Sequence, residues 1–222
     1  MRHFKYIFQL IVFACINSAN AGSYEDFFLA AENNDAPALE RLLKRGFDAN
    51  TPGPKGQSGL LTAIRQNASQ AALVLAKWPD TRVDERTADD ETALMLAAFH
   101  NLLPVAQALI QRQADVNKPG WTPLHYAATK AHVPMMRFLL ENHAFVDASS
   151  PNGTTPLMMA AHYGSPMATK MLLEEGADPR LKNHLGLSAL DFAQNGPYKA
   201  ETTSYIQAFI ASWNARYPAK PK

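Results

Sequence analysis

Trp121-Thr122-Pro123-Leu124-His125-Tyr126-Ala127-Ala128 is the stretch from which the fold is read. Thr122 offers a hydroxyl that can accept from a free backbone N–H of a first helical turn. Pro123 follows at the first helical position, where a missing N–H costs nothing. Leu124, Ala127 and Ala128 fall at i, i+3 and i+4, so they form one narrow apolar face. The octet predicts the start of a short helix whose small alanines let a neighbouring helix approach closely.

The octet returns along the chain. Thr154-Thr155-Pro156-Leu157-Met158-Met159-Ala160-Ala161 is a close echo, and Glu91-Thr92-Ala93-Leu94-Met95-Leu96-Ala97-Ala98 is another. Weaker echoes begin at Ser58 and Ser188, and the weakest at Glu25. Glu25, Ser58, Thr92, Thr122, Thr155 and Ser188 mark the phase, at separations of 33, 34, 30, 33 and 33 residues. A leucine-rich pair falls 17 and 18 residues after the phase residue: Leu42-Leu43, Leu75-Ala76, Leu109-Ile110, Leu139-Leu140 and Leu172-Leu173. A third marker follows it, as Gly46-Phe47-Asp48-Ala49-Asn50, Gln113-Ala114-Asp115-Val116-Asn117 and Gly176-Ala177-Asp178-Pro179-Arg180. Such a period is the signature of a stacked repeat architecture.

These residues resemble the ankyrin repeat, whose period is about 33 residues and whose signature is T-P-L-H-x-A. Thr122, Pro123, Leu124 and His125 reproduce that signature, and Thr155, Pro156 and Leu157 repeat its first three residues. Exported solitary ankyrin-repeat proteins of Gram-negative bacteria look most similar. The resemblance implies an all-α solenoid of about six helix-turn-helix units joined by short β-hairpin-like loops. Those units would run 25–57, 58–91, 92–121, 122–154, 155–187 and 188–222, within one domain spanning 22–222. In each, a first helix ends at Asn34, Asn67, Asn101 or Gly164, residues that tolerate a left-handed cap, whereas Ala131 breaks the pattern. A second helix is expected over Val133 to Asn142 and its counterparts. Near the C-terminus, Tyr205, Phe209 and Trp213 at i, i+4 and i+8 would form the aromatic face of a capping helix.

Residues 1–21 read differently. Arg2 and Lys5 precede an apolar run from Tyr6 to Ile16, broken by Gln9, and Ala19-Asn20-Ala21 ends it. That is the pattern of a secretory signal peptide cleaved before Gly22. The run is too short for a spanning helix, which needs about 20 residues. Cys15, the single cysteine, would leave with the signal, unless it were lipidated, a reading that bulky Phe13 fits poorly. The expected destination is the periplasm or beyond it, with no stable membrane insertion after cleavage.

Composition narrows the function. Across 222 residues, 21 Lys+Arg face 20 Asp+Glu, so no basic footprint for nucleic acid exists. No zinc-ligand spacing, nucleotide fingerprint or nucleophile elbow is present, so no metal, cofactor or catalysis is expected. The expectation is a monomeric, non-catalytic protein-binding scaffold whose partner is an unidentified protein. An immunity or inhibitor protein against an exported toxin, and a secreted effector acting on host proteins, are the rival readings.

In ankyrin proteins the hairpin tips and the pair after the Ala-Ala step line the binding face. By that resemblance the candidate contacts are Phe99, His100, Lys130, His162 and Tyr163 on inner helices, with Glu91 and Trp121 at the tips. Their blend of aromatic and polar groups suits an interface. Trp121 is either folded back on neighbouring loops or offered to a partner. The adjoining loop, Asn117-Lys118-Pro119-Gly120, is three residues short. His125 and His132 read as structural hydrogen-bonding groups.

Overall fold

The computed structural model describes residues 22–216. The leader pattern of residues 1–21, its Cys15 and the tail 217–222 lie outside the described residues. Twelve helices make up the regular structure of the described residues. Helix α1 covers 22–32. It is followed by α2 (Ala36–Lys44), α3 (Gly59–Arg65), α4 (Ser69–Lys77), α5 (Ala93–Phe99) and α6 (Leu103–Gln111). Then come α7 (Pro123–Thr129), α8 (Val133–Glu141), α9 (Pro156–His162), α10 (Pro166–Glu174), α11 (Ala189–Gln194) and α12 (Lys199–Arg216). The fold is all-α, in short helix pairs repeated along the chain. Two compact units part between Arg82 and Val83.

The first unit holds α1 to α4. Phe27 is fully buried and stacks on Phe47, with ring centroids 4.4 Å apart. Its ring lies over Gly59, where an added Cβ would come within 2.5 Å of it. Asn34, at φ +60°, accepts from the backbone N–H groups of Gln70 and Ala71. It thereby satisfies the first turn of α4, whose own N-cap, Ala68, has no side chain for the task.

In the second unit the inner helices stack in order, α5 on α7, α7 on α9 and α9 on α11. Their small faces are fully closed: Ala97, Ala98, Ala127, Ala128 and Leu124 are all buried. The outer helices contribute Leu109, Met135, Met136, Leu139 and Leu172 to the same core. Every inner helix of this unit begins with one geometry built from different chemistry. The backbone N–H of the phase residue donates three residues forward: Thr92 to Met95 Sδ, Thr122 to His125 Nδ1, Thr155 to Met158 Sδ and Ser188 to Asp191 Oδ2.

Three expectations need correction. The connecting loops do not reach strand geometry; among the described residues only the isolated bridges Arg86 to Thr92 and Lys182 to Ser188 form. The next Thr or Ser already caps a helix, which leaves no residues for a longer ladder. Ala131 does not break the left-handed cap but adopts it, at φ +55°, like Asn67 and Asn101 at +56°. Gly164, by contrast, is there for space: a Cβ would lie 2.6 Å from Ala128 O and 2.8 Å from Ala160 O. The third concerns α12, which buries Thr202 and Ile206, while Tyr205 stays 37% exposed and Phe209 and Trp213 are half-buried. Trp213 instead carries the Arg180 guanidinium 5.3 Å from its ring.

Candidate functional site

The repeat geometry sets each candidate side chain at the end of an inner helix or on the loop preceding one. Phe99, the last residue of α5, is half-buried, and the Lys130 ammonium sits 4.4 Å from its ring centroid. Such a cation–π contact holds the lysine against the helix row. His100 meets Phe99 edge-on at 5.3 Å. Burial, and then the charges of Lys130 and His132, push the His100 imidazole below its ordinary pKa. His132 is structural, as expected, with Nε2 3.1 Å from Phe99 O of the preceding repeat.

Tyr126 joins this cluster to the tips. Its ring meets Phe99 at 6.1 Å and its hydroxyl donates to Glu91 Oε1 at 3.0 Å. Glu91 and Phe99 are therefore linked through a residue that the sequence pattern does not single out, because Tyr126 occupies a variable position inside the motif. His162 and Tyr163 form a second cluster. Their rings meet edge-on at 4.1 Å, and His162 Nδ1 lies 3.2 Å from Phe192 O. Tyr163 remains 57% exposed.

Trp121 takes a third place. Its ring packs edge-on against His125 at 5.1 Å and is half-buried. His125 is fully buried. Because Thr122 N–H donates to Nδ1, the ring proton resides on Nε2, which donates to Thr154 O at 2.9 Å. Burial lowers its pKa to about 4, so it is neutral at ordinary pH. The short loop before Trp121 is held from beneath. The Lys118 side chain is 2% exposed; its ammonium pairs with Asp90 Oδ2 at 2.5 Å and donates to Pro119 O at 3.1 Å. Lys118, with Arg86, holds the Asp90 carboxyl below the usual carboxylate range.

One further feature escaped the sequence reading. Leu181, Leu185 and Leu187 lie within one loop and are 39%, 79% and 40% exposed. The signal was present as three leucines within the seven residues 181–187. Among the described residues no group of three or more His, Cys, Asp or Glu could hold a metal ion. Nor is any helix among them long and apolar enough to cross a membrane.

Comparison with known proteins bears on the fold first. Of solved structures, an ankyrin repeat domain from Acinetobacter baumannii AYE is 23% identical, covers 82% of this chain and 96% of that one, and superposes with a TM-score of 0.71. A chain of the predatory endopeptidase Bd0816 from Bdellovibrio bacteriovorus in complex with immunity protein Bd3460 is 25% identical. There the likeness covers 82% of this chain and 97% of the other, with a TM-score of 0.71. The nuclear factor NF-kappa-B p105 subunit of Gallus gallus is 31% identical over 175 residues, 76% of this chain but 18% of that protein. Neurogenic locus notch homolog protein 1 of Xenopus tropicalis is 34% identical over 135 residues, 60% of this chain and 5% of that protein. The chain thus spans less than a fifth of the length of these curated relatives. Its fold is that of a helical repeat protein. A family model described as ankyrin repeats in three copies matches residues 27–119 and 113–183, and the chain belongs to the ankyrin-repeat family.

Proposed function

We propose that the chain is an inhibitor or immunity protein of the exported compartment, which binds an enzyme and occludes it without turnover. The likeness to a chain of the endopeptidase–immunity protein complex supports this most, because it runs through 97% of that chain rather than through one shared motif. The leader pattern of residues 1–21 supports a periplasmic setting. A general scaffold of the periplasm would use the same surface; the likeness to a chain from a complex of an enzyme with its immunity protein favours the narrower reading.

The surface is suited to the task. Phe99, Lys130 and His100 form one partly ordered cluster, and His162 with Tyr163 forms another. Side chains already held by ring contacts lose little freedom on binding. Glu91 and Trp121 would flank them at the tips, with Trp121 half-buried beside His125. Contact through this face needs neither metal nor cofactor, and a monomer suffices.

Crosslinking in the periplasm of the native host, followed by mass spectrometry and an activity assay of whatever is captured, tests the proposal. An exported enzyme whose turnover falls on adding the purified chain is the expected result. Capture of proteins whose activity the chain leaves unchanged would remove the inhibitor reading.

A further inference from the structure

The first helix pair, α1 with α2, carries an open groove of about 610 Å³. Asp26, Leu29, Asp35, Ala38, Arg41 and Arg45 are among the residues that line it. Equivalent positions in other repeats show what such a face receives. The residue after the phase residue is Asp26 here but Gly59, Pro123, Pro156 and Ala189 elsewhere, all of them buried. Gly59 identifies the cover, since its nearest neighbour is the Phe27 ring of the preceding repeat. Four residues after the phase residue, Tyr126 meets Phe99 and Phe192 meets His162, again in the preceding repeat. The equivalent here is Leu29, 53% exposed. Ala38 is half-buried where its equivalents Ala71, Met135 and Ala168 are fully buried. The face therefore has the form that receives another helix pair, and no described helix lies over it. The last pair of the second unit is finished differently: α12 lies against α10 and α11 and buries Thr202 and Ile206.

We propose that this face pairs with the same face of a second copy in a two-fold dimer, α1 antiparallel on α1 and α2 antiparallel on α2. The charges select that occupant. Asp35 caps the N-terminus of α2 and Arg45 its C-terminus, so along the groove they are separated by about 15 Å at the rise of an α-helix. A two-fold axis crossing the helices near their middle brings Asp35 of each copy to the partner's Arg45, and the contact is made twice, as isologous pairing requires. The same axis sets Leu29 beside the partner's Leu29, which takes both from water. Lys44 leaves the balance intact, because its ammonium lies 3.0 Å from Glu40. Asp26 and Asp35 are then matched by Arg41 and Arg45, and the joined faces are neutral. A wholly acidic or wholly basic partner would leave half of these charges opposed. Since α12 covers the last pair, the contact closes on itself and does not extend into a filament. The end of one helix pair is smaller than a standard interface, so the association is weak, in the high micromolar range. The pairing goes beyond the inhibitor reading and does not depend on it.

Sedimentation equilibrium of the full chain, as processed in its native host, tests the proposal from micromolar to millimolar concentration. A monomer–dimer equilibrium is expected. Arg45→Glu and Asp35→Arg should each raise the dimer Kd about tenfold or more, because each sets like charges together at both ends of the contact. The two variants mixed in equal amounts should dimerise like the parent, since every position 35 then faces a position 45 of opposite charge. Misfolding could not produce that recovery. Asp35→Arg also loses the bond from Ala38 N–H, so its circular dichroism is compared with the parent's. Should that loss unfold it, Leu29→Asp decides, as an exposed residue within the contact: a dimer that it retains overturns the pairing. A parent chain that is monomeric at millimolar concentration overturns it, as does a dimer that both charge variants keep. So does a mixture that fails to recover while both variants hold the parent's helical signal. Co-purification of a different protein that Arg45→Glu releases, with the parent itself monomeric, makes the occupant foreign and overturns the second copy.

Discussion

Ala131 holds φ +55° without the side-chain or glycine freedom that makes this conformation cheap. The left-handed region costs an ordinary L-residue about 1–2 kcal/mol. Ala131→Gly should therefore stabilise the fold by about 0.5–1 kcal/mol after glycine's own entropy cost is subtracted, as read by urea denaturation. Gly164→Ala is its opposite: the new Cβ would press on the Ala128 and Ala160 carbonyl oxygens, which are backbone and cannot swing away. A loss of about 1–3 kcal/mol is expected, typical of overpacking. His125 adds a pH signature. Its folded pKa, about 4, lies below the unfolded value near 6.5, so the unfolded chain binds the extra proton. Stability due to this residue is complete above pH 6.5 and is lost as pH falls towards about 4, by up to about 1.4 kcal/mol per unit. His125→Met, which installs the residue found at the equivalent positions Met95 and Met158, should flatten that slope in denaturation curves taken between those two pH values.

At the scale of the element, the third sequence marker finds its physical reason. Asp48 and Asp115 each accept from the N–H two residues on, which shapes the turn after an outer helix. Asn50 and Asn117 then reach the next repeat: Asn50 bonds Asp80 O and Arg82 N–H, and Asn117 bonds His143 O and Phe145 N–H. Asn117→Ala would orphan two backbone groups of the following turn, and a loss of about 1–2 kcal/mol in chemical denaturation is expected. The outer helices show their register as directly. Leu139 is fully buried in α8, so Leu139→Ala should cost about 2–5 kcal/mol by opening a cavity. A loss under about 0.5 kcal/mol, the range of surface substitutions, would contradict that placement.

For the whole molecule the question is which surface does the work. If the clusters on the inner helices and the tips form one contact, Tyr163→Ala and Phe99→Ala should each weaken partner binding by more than about tenfold with the helical circular dichroism unchanged. Trp121→Ala should do the same if its exposed edge makes contact; if instead it lowers the thermal midpoint, its role is to cover His125. Glu174→Ala on α10 serves as the control and should leave binding unchanged. The reverse pattern would move the interface to the outer helices.

What the sequence determined by itself was most of what is local and periodic. The repeat length, the N-caps Thr92, Thr122 and Thr155, the small inner face and the buried leucines of the outer helices follow from spacing and propensity, which act over a few residues. Phe99, His100, Lys130, His162 and Tyr163 could be singled out because a repeat puts equivalent positions in equivalent places. The tertiary structure decided what depends on neighbours far along the chain. It turned Trp121 onto His125, set Lys130 against Phe99 and buried Lys118 beneath Asp90. It also made Gly164 a matter of clearance between helices rather than of backbone freedom, and left Leu185 outside the core on a loop that Asn183 keeps closed. A one-dimensional pattern tells which residues recur, but only packing in three dimensions decides which apolar side chains find partners within the chain and which are left for another molecule.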